Sequence, residues 1–249
     1  MTPTPTPTRR ILEICANSAQ SCLEAEAGGA TRVELCAAIP EGGTTPSYGA
    51  IRTAQTLTSS IGIHIIIRPR GGDFLYTQTE QQTMLYDIAM AKDLGVDGLV
   101  FGCLTPEGDI DLRLLEQLMT AAAPLPVTFH RAFDVCRNPA VALEQIISAG
   151  CSRLLTSGQQ PDALKGIPLI ASLVRQAAGR IIIMPGCGVR ANNIAQIETA
   201  TGAREFHTSA RSLQQSAMQY RNTNVPMGNS FIPEFEREET DRKKVAACL

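Results

Sequence analysis

Carboxylates, imidazoles and thiols recur in this chain where short strand-like runs turn polar. Pro126-Val127-Thr128-Phe129-His130-Arg131-Ala132-Phe133-Asp134 begins as a buried strand, with a proline stop and β-formers, and ends in His130, Arg131 and Asp134. Glu13 and Cys15 alternate within 11–15, Glu34 and Cys36 within 32–36, Arg68 closes 63–68, and Glu205 and His207 stand two apart in 204–208. Side chains on a strand alternate between faces, so each of these pairs shares one face. If those faces meet, Glu13, Glu34, His130 and His207 can exchange protons or hold a divalent metal ion, and Arg68 and Arg70 can clamp an anion. A purely structural reading makes Glu13, Glu34 and Arg68 a buried ion-pair layer, which requires every charge to be paired. His130 reads as an acid–base group or ligand because it ends its strand beside Arg131. For His207 a plainer role is available, since Glu205 on the same face would simply hold it, and His64, near the start of its run, reads as structural.

Thiols supply a second chemistry. Cys15 and Cys36 fall on one face of successive strands, where two thiolates can approach a soft ion such as Cu(I). Glu13 and Glu34 nearby should raise the thiol pKa and oppose thiolate formation unless Arg68 offsets them. The eight cysteines contain no Cys-x-x-Cys pair, which excludes a zinc ribbon and predicts free, mostly buried thiols in a reducing cytosol.

Glycine-rich turns could bind an anion. Pro185-Gly186-Cys187-Gly188-Val189, Thr156-Ser157-Gly158 and Ser209-Ala210-Arg211 would gather backbone N–H groups at one corner, although the same glycines equally suit tight turns. Arg68-Pro69-Arg70-Gly71-Gly72-Asp73-Phe74 joins two cations to a glycine hinge and reads as an anion clamp or a lid.

The elements that position these residues follow a βα rhythm. A β-rich run gives way to a helix that often stops at glycine, at Gly28-Gly29, Gly95, Gly150, Gly179 and Gly202. Strands are predicted at 11–15, 32–36, 63–68, 97–102, 126–131, 152–156, 180–185 and 204–208. Helix starts are predicted at Asn17 or Ser18, Thr45, Thr79, Asp111, Asn138, Pro168 and Asn192. An eighth helix is sought in Ser212 to Tyr220, or better in Pro233 to Ala247 beyond a loop with Pro226 and Gly228. Eight such units predict an α/β fold, a parallel eight-stranded (β/α)8 barrel, with function at the C-terminal strand ends. No Gly-x-Gly-x-x-Gly follows the first strand, and none of Lys92, Lys165, Lys243 and Lys244 ends a strand, which sets aside a dinucleotide fold and a Schiff-base aldolase.

Residues 1–10 read as a disordered Thr/Pro arm and 11–249 as one domain whose C-terminal segment packs outside the barrel. A net charge of −2 with scattered arginines argues against nucleic acid, and no apolar run suits a membrane, so a cytosolic protein is expected, with a homodimer plausible for the architecture.

Taken together the motifs resemble the copper homeostasis protein CutC family from about Ile11 to Gly228. The likeness rests on Val33-Glu34-Leu35-Cys36, Glu41-Gly42-Gly43-Thr44-Thr45-Pro46, Ile67 to Phe74, Asp97 to Gly102, Thr128 to Asp134, Leu155-Thr156-Ser157-Gly158 and Glu205-Phe206-His207. It implies a cytosolic (β/α)8 barrel with a role in copper handling and with Cys15 and Cys36 as Cu(I) ligands. The alternative from the residues themselves is an isomerase, lyase or hydrolase acting on a small anionic or phosphorylated metabolite. One departure is Cys187, where the family's loop resembles Pro-Gly-Gly-Gly; it puts a side chain where a phosphate would approach.

Overall fold

A computed structural model describes residues 10–222, 224–225 and 233–249. The Thr/Pro arm up to residue 9 and the loop with Pro226 and Gly228 lie outside the described residues. Eight parallel strands follow in order: β1 (Ile11–Ala16), β2 (Arg32–Leu35), β3 (Gly62–Ile66), β4 (Gly98–Phe101), β5 (Val127–Phe129), β6 (Arg153–Thr156), β7 (Ile182–Pro185) and β8 (Glu205–Thr208). Their hydrogen-bonded order is β7-β6-β5-β4-β3-β2-β1-β8, and β7 meets β8 without a shared ladder, so the barrel is nearly closed.

Outward strand residues such as Leu12, Ile14, Val33, Leu35, Ile65 and Phe129 pack under the helices as one apolar layer. The inward face is thereby left to Glu13, Glu34, His130 and His207, all buried. Seven helices cover the strands: α1 (Ala19–Ala27), α2 (Tyr48–Leu57), α3 (Gln78–Asp93), α4 (Leu112–Ala122), α5 (Pro139–Ser148), α6 (Ile167–Ala177) and α7 (Ile194–Thr201). Ser18, Asp111 and Asn138 cap as predicted, each accepting a backbone N–H. Elsewhere the start shifts by a residue or two. Ser47 replaces Thr45, whose hydroxyl instead accepts from Arg68 N. Thr77 replaces Thr79 because it forms a reciprocal capping box with Glu80. Gly166 precedes α6, and Asn193 rather than Asn192 precedes α7.

The C-terminal region departs from the sequence expectation. Neither Ser212 to Tyr220 nor Pro233 to Ala247 is one helix; β9 (Arg211–Gln215) and β10 (Glu236–Thr240) form an antiparallel ribbon, followed by the short α8 (Arg242–Ala246). Glu236-Arg237-Glu238-Glu239 offers little apolar surface for a helix to bury, and extended it is pinned to α1. Ser18 and Ser21 both donate to the Glu239 carboxylate at 2.6 Å, Asn17 donates to Glu238 O, and Thr240 N donates to Ser21 Oγ.

Val245 of α8 is fully buried against Gly28, where an added Cβ would stand 2.6 Å from Val245 Cβ and 2.8 Å from Arg242 O. Gly28→Ala is therefore expected to cost about 1–3 kcal/mol by overpacking. Urea unfolding measures that loss, and limited proteolysis should cut first in the loosened C-terminal segment; wild-type stability would show that α8 yields without cost.

Candidate functional site

Strand register builds the site from below. Glu13 stands beside Arg32 on one neighbour and His207 on the other. Its carboxylate accepts from Arg32 Nε and lies 2.8 Å from His207 Nδ1. Arg32 also donates to Glu205 at 2.6 Å, and Arg153 donates to the same oxygen at 2.8 Å. The ion-pair layer thus exists, but its partners are Arg32, Glu205 and Arg153 rather than Arg68. Glu205 does not hold His207; it faces the two arginines, and Glu13 holds the imidazole. Burial by itself would raise the Glu13 pKa, yet the hydrogen bond to His207 and the Arg32 charge outweigh it and hold the group well below the ordinary carboxylate range.

Above this layer lie Cys15, Glu34, Cys36 and the far side of His207. Cys15 Sγ is 3.6 Å from Cys36 Sγ, and ligand atoms of Cys15, Glu34 and Cys36 all lie within 4.8 Å of one another. His207 Nε2 is 3.7 Å from Glu34 Oε2. The Cys36 thiol hydrogen bond lowers the Cys15 pKa against the effect of burial, and His207 and Arg211 lower it further, so it lies well below the ordinary thiol value. Burial disfavours the charged form of His207, but its interaction with Cys15, the hydrogen bond to Glu13 and the Glu13 charge raise it well above the usual imidazole value. Both shifts favour the charged forms, the Cys15 thiolate and the His207 imidazolium. The two glutamates therefore do not keep Cys15 protonated, and the offsetting cations are His207 and Arg211, the latter donating to Cys15 Sγ at 3.3 Å, not Arg68. Cys36 stays protonated, raised by its hydrogen bond to Cys15 and by burial. Glu34 is pushed up to about 8, chiefly by burial. The remaining buried thiols behave as small hydrophobes, with burial pushing Cys22 and Cys151 up to about 12.

A cavity of about 1010 Å³ opens over these groups at the C-terminal strand ends, with Cys15, Glu34, Arg68, His130, His207 and Arg211 on its wall. Within it His130 stands apart from the cysteine cluster, its ring 4.9 Å from that of Phe74. Burial and then the Arg68 charge push its pKa down to about 3, so it is neutral. Of the divalent set expected from the sequence, Glu13, Glu34 and His207 converge and His130 does not join them; among the described residues only Cys15, Glu34 and Cys36 form a three-ligand group. Arg70 is turned away from the cavity, tying Glu80 and Asp73 to the loop.

At the expected anion corner the chain's own carboxylate already sits. Asp134 accepts from Thr156 Oγ1 at 2.5 Å, from Ser157 N at 2.9 Å and from Gln159 N at 3.1 Å, while Arg131 pairs with it at 2.7 Å. Gly158 N donates to Thr156 Oγ1 and Gly186 N to Thr156 O. An anion there would have to displace Asp134. Gly188 and Ser209 line the cavity with Cys187, whose φ is +70° and whose thiol donates to Pro161 O at 3.1 Å. Arg32, Arg153 and Asp134 are the neighbours of the site to which sequence reasoning assigned no role. Asp134 did carry a signal, its i+3 spacing from Arg131, whereas nothing local marks Arg153.

Residues 10–212 match the family model described as the CutC family. The chain belongs to the CutC family. A CutC family protein from Parabacteroides distasonis is 70% identical over 242 residues, covering 97% of this chain and all of that one. The human copper homeostasis protein cutC homolog is 48% identical over 236 residues, covering 94% of this chain and 86% of that one. A crystal structure of a copper homeostasis protein CutC from Streptococcus agalactiae matches with a TM-score of 0.77 and 37% identity, over 80% of this chain and 98% of that one. An aldolase, QR15, at 16% identity and a TM-score of 0.60, shares the fold alone.

In this CutC chain the folded Glu34 keeps its proton up to about pH 8, whereas the unfolded carboxyl ionises above 4.5. The folded state binds more protons across that window, so stability falls as pH rises through it. Glu34→Gln should flatten this slope, the gap reaching on the order of a few kcal/mol at the alkaline end. Denaturant unfolding at stepped pH measures it, and a wild-type slope in the variant would mean that Glu34 is ionised.

Proposed function

We propose that this CutC protein binds Cu(I) as cargo between Cys15 and Cys36 and serves copper homeostasis in the cytosol. One observation carries the reading: two sulfurs 3.6 Å apart at the barrel mouth, with the Cys15 pKa lowered by Cys36 and further by His207 and Arg211. Soft thiolates select Cu(I), and only Cys36 has a proton left to lose on binding. Glu34 is a third donor in reach, but a protonated carboxyl is a poor ligand for a soft ion. Free thiols throughout suit a reducing compartment, and among the described residues no helix is long and apolar enough to cross a membrane. The family's name and that of the human relative point the same way.

A second reading, an enzyme acting on a small anionic or phosphorylated metabolite, is favoured by a different observation. The cavity of about 1010 Å³ far exceeds the needs of one ion, and on its wall Cys15, its thiol pKa lowered, is a candidate nucleophile beside His207, which Glu13 orients.

Anaerobic competition against a chromophoric Cu(I) chelator separates the two. Cys15→Ala with Cys36→Ala is expected to abolish stoichiometric binding, while His130→Ala leaves it intact. Tight one-to-one binding by the double variant would remove the cysteine pair from the copper site.

A further inference from the structure

Two groups on the cavity wall have no use in either the copper site or the thiolate–imidazolium pair. Arg68 is only 4% exposed, yet its Nη1 donates to Glu41 O and Gly43 O at 2.9 and 2.8 Å and its Nη2 to Gly72 O at 2.7 Å. Among the described residues its hydrogen bonds reach backbone carbonyls and no carboxylate. Carbonyl dipoles orient a guanidinium without cancelling its charge, and a buried charge left uncompensated is costly. His130, also 4% exposed, has its Nδ1 accepting from Ala132 N at 3.3 Å, which fixes the proton on Nε2. That Nε2–H is buried without a partner. Phe74 joins the two groups, with the guanidinium 5.0 Å and the imidazole 4.9 Å from its ring. All three line the same cavity. An unneutralised cation and an unused donor, side by side on a fixed wall, are complementary to an oxyanion and to little else.

We propose that Arg68 and His130 bind the anionic group, carboxylate or phosphate, of a small organic molecule occupying this cavity. The anion neutralises Arg68 and accepts from His130 Nε2–H. The body of the molecule extends into the remaining space toward Cys15 and Glu34. Neutral His130 acts purely as a donor, since burial and Arg68 together keep it uncharged. This site deepens the second reading by naming where the anionic end sits, and it rests on that reading only in taking the cavity as a ligand site; it requires neither turnover nor copper. It also differs from the corner predicted from the glycine turns, where Asp134 already occupies the donors.

Calorimetric titration of the full chain with pyruvate in one arm and inorganic phosphate in the other tests the site, in a buffer free of other small oxyanions. Wild type should saturate at one equivalent with at least one probe, and the arm that binds identifies the anion class. His130→Asn places its Oδ1 where Nδ1 was, keeps the Ala132 cap and removes the Nε2 donor, so affinity should fall about tenfold or more. His130→Gln restores a donor near the Nε2 position and should bind close to wild type. If His130→Asn proves unfolded by circular dichroism, the wild-type protein still decides. The ¹⁵N-edited NMR signal of His130 Nε2–H should shift saturably with the bound probe. Absence of saturable binding by either probe, equal affinity in His130→Asn, or an unmoved Nε2–H signal would each overturn the assignment. Cu(I) competition run on the same variants should be unchanged, and turnover is assayed separately, so failure of this site is distinguishable from failure of either functional reading.

Discussion

A carboxylate with no access to solvent fixes the interior of this barrel. Glu13 must be neutralised where it stands, and the strands on either side supply Arg32 and His207. Arg32 in turn needs Glu205, and Glu205 takes Arg153, so charges of alternating sign run from the lower end of β6 to the mouth at β8. Removing one member of such a buried chain leaves its neighbour unpaired, which typically costs about 3–5 kcal/mol. The layer is structural in its lower half and chemical in its upper half. The same imidazole that completes the charge pairing presents its other nitrogen to Cys15. The lowering of the Cys15 pKa, led by Cys36, thus also draws on how the base of the barrel is neutralised.

The mouth itself is partly self-filled. Asp134 holds the hydroxyls and amides that follow β6, and Arg131 closes over it, so the place where barrels of this class often hold phosphate is satisfied internally. Cys187 adds to this, since a non-glycine residue at φ +70° costs of the order of a kcal/mol and its side chain bonds Pro161 O rather than opening the turn. Unsatisfied polar atoms on the cavity wall lie instead at Arg68 Nε and His130 Nε2 on the β3 and β5 side, and at Arg211 Nε after β8.

Much of this arrangement was legible in the sequence, for physical reasons. Strands read clearly because each is a short apolar run between a glycine stop and a capping residue. Period-two alternation was enough to put Glu13, Cys15, Glu34, His130 and His207 on the inward face. Register was not legible. Which glutamate holds His207, and that Arg153 reaches Glu205, depend on the stagger between strands distant in sequence, which no local pattern encodes. The β9–β10 ribbon was missed because Glu236 to Thr240 lacks alternating apolar residues and is held by polar bonds to α1. Arg68 was recognised as an important cation, but its ties to the carbonyls of Glu41, Gly43 and Gly72 belong to loop geometry alone.

Copper and an organic anion would draw on one electrostatic device from different sides. Cys15 faces the cavity, whereas Cys36 lies off its wall, its Sγ 3.4 Å from Ala16 O. An ion held by both sulfurs would therefore sit at the edge of the cavity, and a molecule anchored at Arg68 and His130 would approach Cys15 from the open side. Both would depend on the charge state of the Cys15–His207 pair, copper because it needs the thiolate and the anion because the imidazolium adds to the positive field of the mouth. Copper bound at Cys15 would remove the thiolate's free charge and so change the field that an incoming anion meets. By linkage, whatever factor the ion imposes on the anion's affinity, the anion imposes equally on the ion. With both ligands bound, soft-metal occupancy would be tied to the occupancy of the adjoining cavity through one buried imidazole, that of His207.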